Sequence, residues 1–206
     1  MKTTRPVGGF KSLLTSLNGD GRWGVALLAS LAGLLLLQAG GAATVVALRY
    51  DRSGLAAGQW WRLASAHVVH LDLRHTLVNG LGLVLMWALF ARDYRARQWL
   101  AILLAAASAI DMGLWFRDTQ VLWYVGASGV LHGVMAAGTL AALRRGAWDG
   151  FVLAAFLIAK LGYEQLGGGV LPLAGPELPV VVNAHLYGAL GGLAAALWMK
   201  PQAMPL

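Results

Sequence analysis

The sequence predicts an all-α polytopic membrane protein built from six transmembrane helices. Of its 206 residues, 58% are hydrophobic and only 12% are charged, whereas a soluble domain carries about 25% charged residues. Several uncharged stretches reach the roughly 20 apolar residues that a helix needs to cross the hydrocarbon of a bilayer. A bilayer accommodates only helices or closed barrels, and these stretches are too long and too uniform for barrel strands.

The apolar stretches, taken in chain order, define the six helices. They cover residues 23–48, 73–90, 98–116, 123–143, 151–171 and 180–199. The first stretch has an alternative interpretation, because basic residues precede it and the small residues at 38–43 resemble a signal-peptide cleavage site. Its uncharged part, 24–48, exceeds the ~7–15 residues of a signal-peptide core, so we expect a retained helix. Glycines and prolines between 167 and 179 predict a flexible connection before the last helix.

The positions of Lys and Arg predict the orientation. With a cytoplasmic N-terminus, ten of these residues lie inside and five outside, while Lys160 falls within a span. Cytoplasmic loops accumulate Lys and Arg, so we expect both termini inside. The domains are then a cytoplasmic segment 1–22, a six-helix domain 23–199 with an external loop at about 49–72, and a cytoplasmic tail 200–206. The net charge of +7 then reflects topology, and the expected partner is the lipid bilayer and not nucleic acid.

A serine and a histidine, each in its own apolar span, are the candidate catalytic residues. Ser128 stands between Gly126 and Gly129 in a stretch, 119–143, of 25 residues without Asp, Glu, Lys or Arg. His185 is the one histidine of a second such stretch, 178–199. Serine becomes a nucleophile at neutral pH when a base accepts its proton, and an ionisable side chain inside a membrane is often functional. The pair therefore predicts a nucleophile and its base.

Depth in the bilayer links these residues to two more. Asn79, Ser128 and His185 lie about 20–22 Å from the cytoplasmic ends of spans two, four and six at 1.5 Å per residue. His75 lies four residues before Asn79 and so shares its helix face. Both side chains, together with the Ser128 N–H, are candidate donors to an oxyanion. Because no carboxylate lies near this level on these three helices, a Ser–His dyad fits better than a triad.

Small residues recur every four positions on both candidate helices. This spacing lets membrane helices pack backbone to backbone, which would bring the serine within reach of the histidine. The residues are Gly129, Gly133 and Ala137 on the fourth span, and Ala184, Gly188 and Gly192 on the sixth.

Three charged residues inside the spans have simpler interpretations. Lys160 and Glu164 are four residues apart on the fifth span, which predicts an internal ion pair that limits the cost of charge in lipid. Docking of a substrate tail is the alternative. Asp111, near the outer end of the third span, is expected to find a hydrogen-bonding partner.

Other functions stay open at this point. His75, His132 or His185 could be axial ligands of a haem, and a transporter would also place polar residues inside a bundle. A transporter more often shows broken helices in two related halves, and none are apparent. The chain has no Cys, which excludes disulfides and thiolate metal sites, and no H-E-x-x-H zinc motif. We therefore expect neither a metal nor a cofactor.

Three motifs resemble those of the rhomboid intramembrane serine proteases. They are His-Thr-Leu-Val-Asn at 75–79, Gly-Ala-Ser-Gly at 126–129 and Ala-His-Leu-Tyr-Gly at 184–188, and Trp61-Arg62 resembles the Trp-Arg pair of the family's first external loop. The resemblance covers nearly the whole chain and implies a six-helix rhomboid-like bundle.

The resemblance also implies roles for single residues. Ser128 would be the nucleophile and His185 the general base, while His75, Asn79 and the Ser128 amide would form the oxyanion hole. The remaining residues would have supporting roles. His70 would support the loop and water access, Gly126 and Gly129 belong to the serine motif, and Gly188 and Gly192 would allow the last helix to pack closely.

A narrower resemblance points to a subfamily. Residues 126–133, Gly-Ala-Ser-Gly-Val-Leu-His-Gly, and the short chain are similar to the rhombosortases. That similarity implies cleavage of C-terminal Gly-Gly-type anchors of surface or secreted proteins, in a bacterial inner membrane with the active site open to the periplasm. His132, one turn after Ser128, would stack on or hydrogen-bond His185, with a second base as the alternative. A non-catalytic rhomboid-like protein that binds transmembrane clients is the competing function, and retention of both Ser128 and His185 argues against it.

Overall fold

The computed structural model describes residues 22–168 and 181–202, and this part of the chain is mostly helical. Most of the predicted segment 1–22, most of the predicted connection 167–179 and most of the tail 200–206 lie outside the described residues. The helices are α1 Arg22–Ala39, α2 Gly41–Leu48, α3 Arg52–Ala56, α4 Arg62–Ser65, α5 Leu73–Phe90, α6 Ala96–Phe116, α7 Ser128–Arg144, α8 Trp148–Tyr163 and α9 Val182–Leu197. Two short strands, β1 Tyr50–Asp51 and β2 Trp123–Tyr124, and a π-helical turn, Glu164–Gly168, complete the described elements.

Helices α1, α5 and α6 are each long and apolar enough to cross a membrane. Helix α9 is apolar but shorter, and α7 and α8 have 17 and 16 residues. Exposed apolar side chains such as Phe151 and Ile158 cover the outside of α8, as expected for a surface that faces lipid. Three of the predicted spans therefore meet the length that a bilayer requires, and the count of six stays a prediction.

Three of the predicted spans differ from the observed helices, and one of them is the fourth, predicted at 123–143, whose helix begins only at Ser128 because Trp123–Tyr124 form strand β2. The first predicted span is not one helix, because α1 ends at Ala39 and α2 begins at Gly41. Gly41 has a φ of +62°, a left-handed conformation that interrupts a right-handed helix and that glycine adopts readily. The predicted fifth span also ends early, at Tyr163, where the π-helical turn begins.

Helix α9 lies at the centre of the fold, packed against α6 and α7. A Cβ atom added to Gly188 would lie 2.0 Å from the Gly129 carbonyl oxygen, and one added to Gly192 would lie 2.3 Å from the Gly133 oxygen. Only helices without side chains at these positions can approach so closely. The predicted stripe of small residues is thus the contact between α7 and α9.

The external loop is tied to both α2 and the segment before α7. Strand β1 pairs antiparallel with β2, with Tyr50 opposite Tyr124. The buried Arg62 guanidinium donates to the carbonyl oxygens of Val46 and Arg49, at 2.9 and 2.8 Å, and so satisfies acceptors at the end of α2. Trp61, the other half of the Trp-Arg pair, donates its indole N–H to an α2 carbonyl. These bonds hold the loop over the N-terminal end of α7.

Candidate active site

The side chains of Ser128 and His185 meet at the contact between α7 and α9. Ser128 begins α7, His185 lies in the first turn of α9, and the Ser128 Oγ is 3.0 Å from the His185 Nε2. His185 is buried, with 3% of its surface exposed. Gly129 permits this approach, because a Cβ there would lie 2.8 Å from the Ala184 oxygen. The geometry is that of a hydroxyl and a base within proton-transfer distance.

Gly126 shapes the segment that leads into Ser128. Its φ of +119° is a conformation that side chains other than glycine rarely adopt. Its N–H donates to the Ala66 oxygen at 2.9 Å, and a Cβ at this position would lie 2.9 Å from the His75 Cε1. The glycine therefore lets the His75 imidazole lie directly against the chain before the serine.

His75 and Ser128 line one cavity of about 310 Å³, together with residues 120–125 and Val181. The Leu71 N–H donates to the His75 Nδ1 at 3.5 Å, so the ring carries its proton on Nε2 and can donate it. Ser128 opens α7, and the first N–H groups of a helix have no intrahelical acceptor. Two residues that carry predicted oxyanion donors thus line the same cavity.

Asn79 is buried one turn after His75 on α5. Its amide nitrogen donates to the His75 carbonyl oxygen at 3.0 Å, which occupies one of its two N–H groups. Its Oδ1 is buried and has no hydrogen-bond partner among the described residues. Helix periodicity predicts the face on which Asn79 lies, whereas the direction of the amide depends on the competing backbone acceptor one turn earlier.

His70 supports the loop around the serine. Its Nε2 accepts the N–H of Ala127 at 3.3 Å, and its ring packs edge-on against His75 with centroids 4.9 Å apart. Burial lowers the pKa of His70 to about 3, so the ring is neutral and keeps the lone pair that this acceptor role requires.

His132 stacks on His185. The ring centroids are 4.2 Å apart and the planes differ by 16°. The His132 Nδ1 lies 2.7 Å from the Ser128 carbonyl oxygen, which can only accept, so this nitrogen donates. The stacking contact predicted from the sequence is therefore present, and the alternative role of a second base stays a prediction.

A carboxylate that the sequence did not place here completes the cluster. The Glu164 Oε2 lies 3.0 Å from the His185 Nδ1, and the predicted ion pair joins its Oε1 to the Lys160 ammonium. The Ser–His dyad was expected because the three helices that carry the motifs have no carboxylate at this depth. Glu164 comes from the π-helical turn after α8, and the one sequence signal for it was the charged pair inside an apolar span.

His132, Glu164 and His185 are also a group that could hold a metal ion, since one ligand atom from each lies within 4.8 Å of the others. However, both His185 nitrogens are already hydrogen-bonded, one to Ser128 and one to Glu164. The lone pairs of stacked imidazoles lie in parallel planes and do not converge on one point between the rings. The arrangement suits a hydrogen-bonded chain of serine, histidine and carboxylate better than a metal centre.

Asp111 belongs to a separate pair outside this cluster. Its Oδ1 lies 3.3 Å from the Nε2 of His67 in the external loop. His67 in turn packs edge-on against Tyr124, with ring centroids 5.8 Å apart. Asp111 therefore ties α6 to the external loop.

Comparison with known proteins identifies the family of this chain. The rhomboid domain family model matches residues 57–202, well over half of the chain. A Bacillus subtilis (strain 168) protein named "Putative rhomboid protease YdcA" is 24% identical over 139 residues, which cover 68% of this chain and 67% of that protein. No solved structure shows significant similarity. The chain therefore belongs to the rhomboid family, which implies a multi-pass intramembrane protease.

Proposed function

We propose that this protein is an intramembrane serine endopeptidase with Ser128 as the nucleophile and His185 as the general base. The observation that carries the proposal is the 3.0 Å contact between the Ser128 Oγ and the His185 Nε2. A serine hydroxyl attacks a carbonyl at neutral pH when a base takes its proton. Family membership supports the same reaction class.

The chemistry follows the acyl-enzyme route. The Ser128 oxygen attacks the substrate carbonyl carbon while its proton passes to the His185 Nε2. The resulting oxyanion accepts hydrogen bonds from the Ser128 N–H and His75, with Asn79 as a further donor once its amide turns toward the cavity. The peptide C–N bond then breaks, and the leaving amine takes the proton from His185. Water hydrolyses the ester with His185 acting again as the base.

The substrate is a transmembrane segment that unwinds near the cleavage position. Unwinding is required because each carbonyl inside a helix is hydrogen-bonded to the residue four positions later and is shielded. Glycine weakens a helix by about 1 kcal/mol relative to alanine, so a Gly-Gly pair at the end of an anchor lowers this barrier. The similarity of residues 126–133 to rhombosortases supports C-terminal Gly-Gly-type anchors as the substrate class.

The active site opens toward the periplasmic side of a bacterial inner membrane, and both termini are cytoplasmic. Ser128 begins α7 and Arg144 ends it, so they lie about 24 Å apart along the helix axis. The Arg144 guanidinium donates to carbonyl oxygens of residues 196, 197 and 199 at the end of α9, next to the basic loop at 92–97. The excess of Lys and Arg at this end supports a cytoplasmic location for it.

Labelling with a fluorescent fluorophosphonate tests the proposal. The detergent-solubilised protein should be labelled at Ser128, while Ser128→Ala and His185→Ala should not be labelled although both stay folded. Equal labelling of wild type and Ser128→Ala would overturn the assignment of the nucleophile. A folded wild type that neither reacts nor cleaves an anchored substrate would favour the non-catalytic, client-binding function.

A further inference from the structure

Glu164, Lys160, His185 and Ser128 form one continuous chain of polar contacts. The Ser128 Oγ meets the His185 Nε2 at 3.0 Å, and the His185 Nδ1 meets the Glu164 Oε2 at 3.0 Å. The second Glu164 oxygen pairs with the Lys160 ammonium. Each oxygen of the carboxylate thus has its own partner, one of which is the proposed general base.

The burial of Glu164 indicates that its charge is retained for a purpose. Only 2% of its surface is exposed, and a carboxylate removed from water costs several kcal/mol unless it is paired. Lys160, one turn earlier on the same face, compensates this charge. An ion pair that served only to neutralise Lys160 would need no contact with His185.

The carboxylate determines which nitrogen of His185 carries the proton. A carboxylate only accepts hydrogen bonds, so the His185 Nδ1 must donate to it and Nε2 stays free to accept the Ser128 proton. Once Nε2 is protonated, the same carboxylate stabilises the positive ring. His132 covers one face of that ring, so the ring is held in both position and tautomer.

The local backbone explains how a residue outside the motif-bearing helices reaches the site. Helix α8 ends at Tyr163, and Glu164 opens a π-helical turn in which Gly167 has a φ of +86°. Glu164 itself keeps a helical φ of −63° and ψ of −42°, so its side chain lies one turn after Lys160 on the same face of α8. Here the turn lies against α9, which carries His185.

We propose that Glu164 is a positioning residue for His185, with Lys160 holding its carboxylate, so that the site works as a Ser–His–Glu relay. This inference rests on the proposed function. It replaces the dyad expected from the sequence with a three-membered arrangement.

The test measures kinact and KI for the fluorescent fluorophosphonate in Glu164→Gln. Glutamine keeps the size of the side chain but can donate to Nδ1 and so favours the wrong tautomer. We expect kinact to fall by about 100-fold or more, with KI within about threefold of wild type. A purely structural role would instead raise KI and leave kinact within about threefold of wild type.

Asp111→Asn is the matched control. Asp111 is also a shielded carboxylate beside a histidine, His67, but it touches neither Ser128 nor His185 in the described contacts. Its kinact should stay within about threefold of wild type. A comparable loss in both variants would show that any shielded His–carboxylate pair matters for the fold, and would overturn the specific role of Glu164.

The double variant Lys160→Met with Glu164→Gln covers the case in which the single variant fails to fold. Removing both charges leaves no unpaired ion, so the Tm should return toward wild type while kinact stays low. Labelling of either variant within threefold of wild type would overturn the inference. Ser128→Ala in the same series separates the two proposals. If Ser128→Ala is labelled as strongly as wild type, the proposed function is refuted. If Ser128→Ala is unlabelled while Glu164→Gln is labelled at the wild-type rate, only the role of Glu164 in the relay is refuted.

Discussion

Substituting Gly188 by alanine should disable the site without touching any reacting group. The added Cβ would lie 2.0 Å from the Gly129 carbonyl oxygen, which is backbone and cannot rotate away. Ordinary contact begins at 3.4 Å, so α7 and α9 must separate by roughly 1.4 Å, the difference between these two distances.

This separation reaches the Ser128–His185 contact directly. Gly188 is three residues after His185 and faces the same side of α9. A Ser128–His185 distance that grows by about 1 Å from 3.0 Å exceeds hydrogen-bond range, and a displacement of that size costs about 100-fold in rate. Overpacking itself costs about 1–3 kcal/mol, equivalent to about 2–12 °C in Tm.

Fluorophosphonate labelling and thermal unfolding of the same detergent preparation measure both effects. Gly33→Ala is the control, because a Cβ at Gly33 would meet nothing within 4 Å; we expect its rate and Tm to match wild type or rise slightly. A Gly188→Ala protein that is labelled at the wild-type rate would refute the reasoning that backbone contact between α7 and α9 positions the catalytic pair.

Two further predictions concern His132 and Asp51. In His132→Phe the stack on His185 is kept while the bond to the Ser128 carbonyl is lost, so the labelling rate should stay within about tenfold of wild type, the range that one hydrogen bond of about 0.5–1.5 kcal/mol is worth; complete loss of labelling in the folded variant would support the alternative role of His132 as a second base. Asp51 caps α3 through the Gly54 N–H at 3.0 Å, and its hydrogen bonds to Ser53 and Gly54 lower its pKa to about 2. The pKa of Asp51 is lower in the folded than in the unfolded protein, so its contribution to the unfolding free energy is full above about pH 4 and is lost as the pH falls toward 2. Asp51→Asn should remove this pH-dependent part. Identical profiles of unfolding free energy against pH for wild type and variant would contradict the prediction.

The contact between Ser128 and His185 could be predicted because two simple periodicities determine it. A rise of 1.5 Å per residue places Ser128 and His185 at one depth, and small residues four apart mark the face on which α7 and α9 touch. Both depend only on regular helix geometry, and the structure has regular helices at these positions.

The contact of Glu164 with His185 and the break near Gly41 could not be predicted from helix periodicity. Glu164 keeps helical φ and ψ one turn after Lys160, so the spacing predicts their ion pair but not which neighbouring helix the carboxylate meets. The left-handed Gly41 splits the first predicted span, and its spacing does not distinguish it from an ordinary member of an apolar helix. The direction of the Asn79 amide likewise depends on which backbone acceptor it finds.

Cleavage of an anchored substrate in liposomes tests the central claim most directly. The purified protein and its Ser128→Ala variant would be reconstituted with a chimeric protein that ends in Gly-Gly, an apolar helix and a basic tail, and the products would be weighed by mass spectrometry. Our account predicts one cut at or beside the Gly-Gly pair with wild type and an intact substrate with Ser128→Ala. An equal yield of cut substrate with both proteins would contradict it.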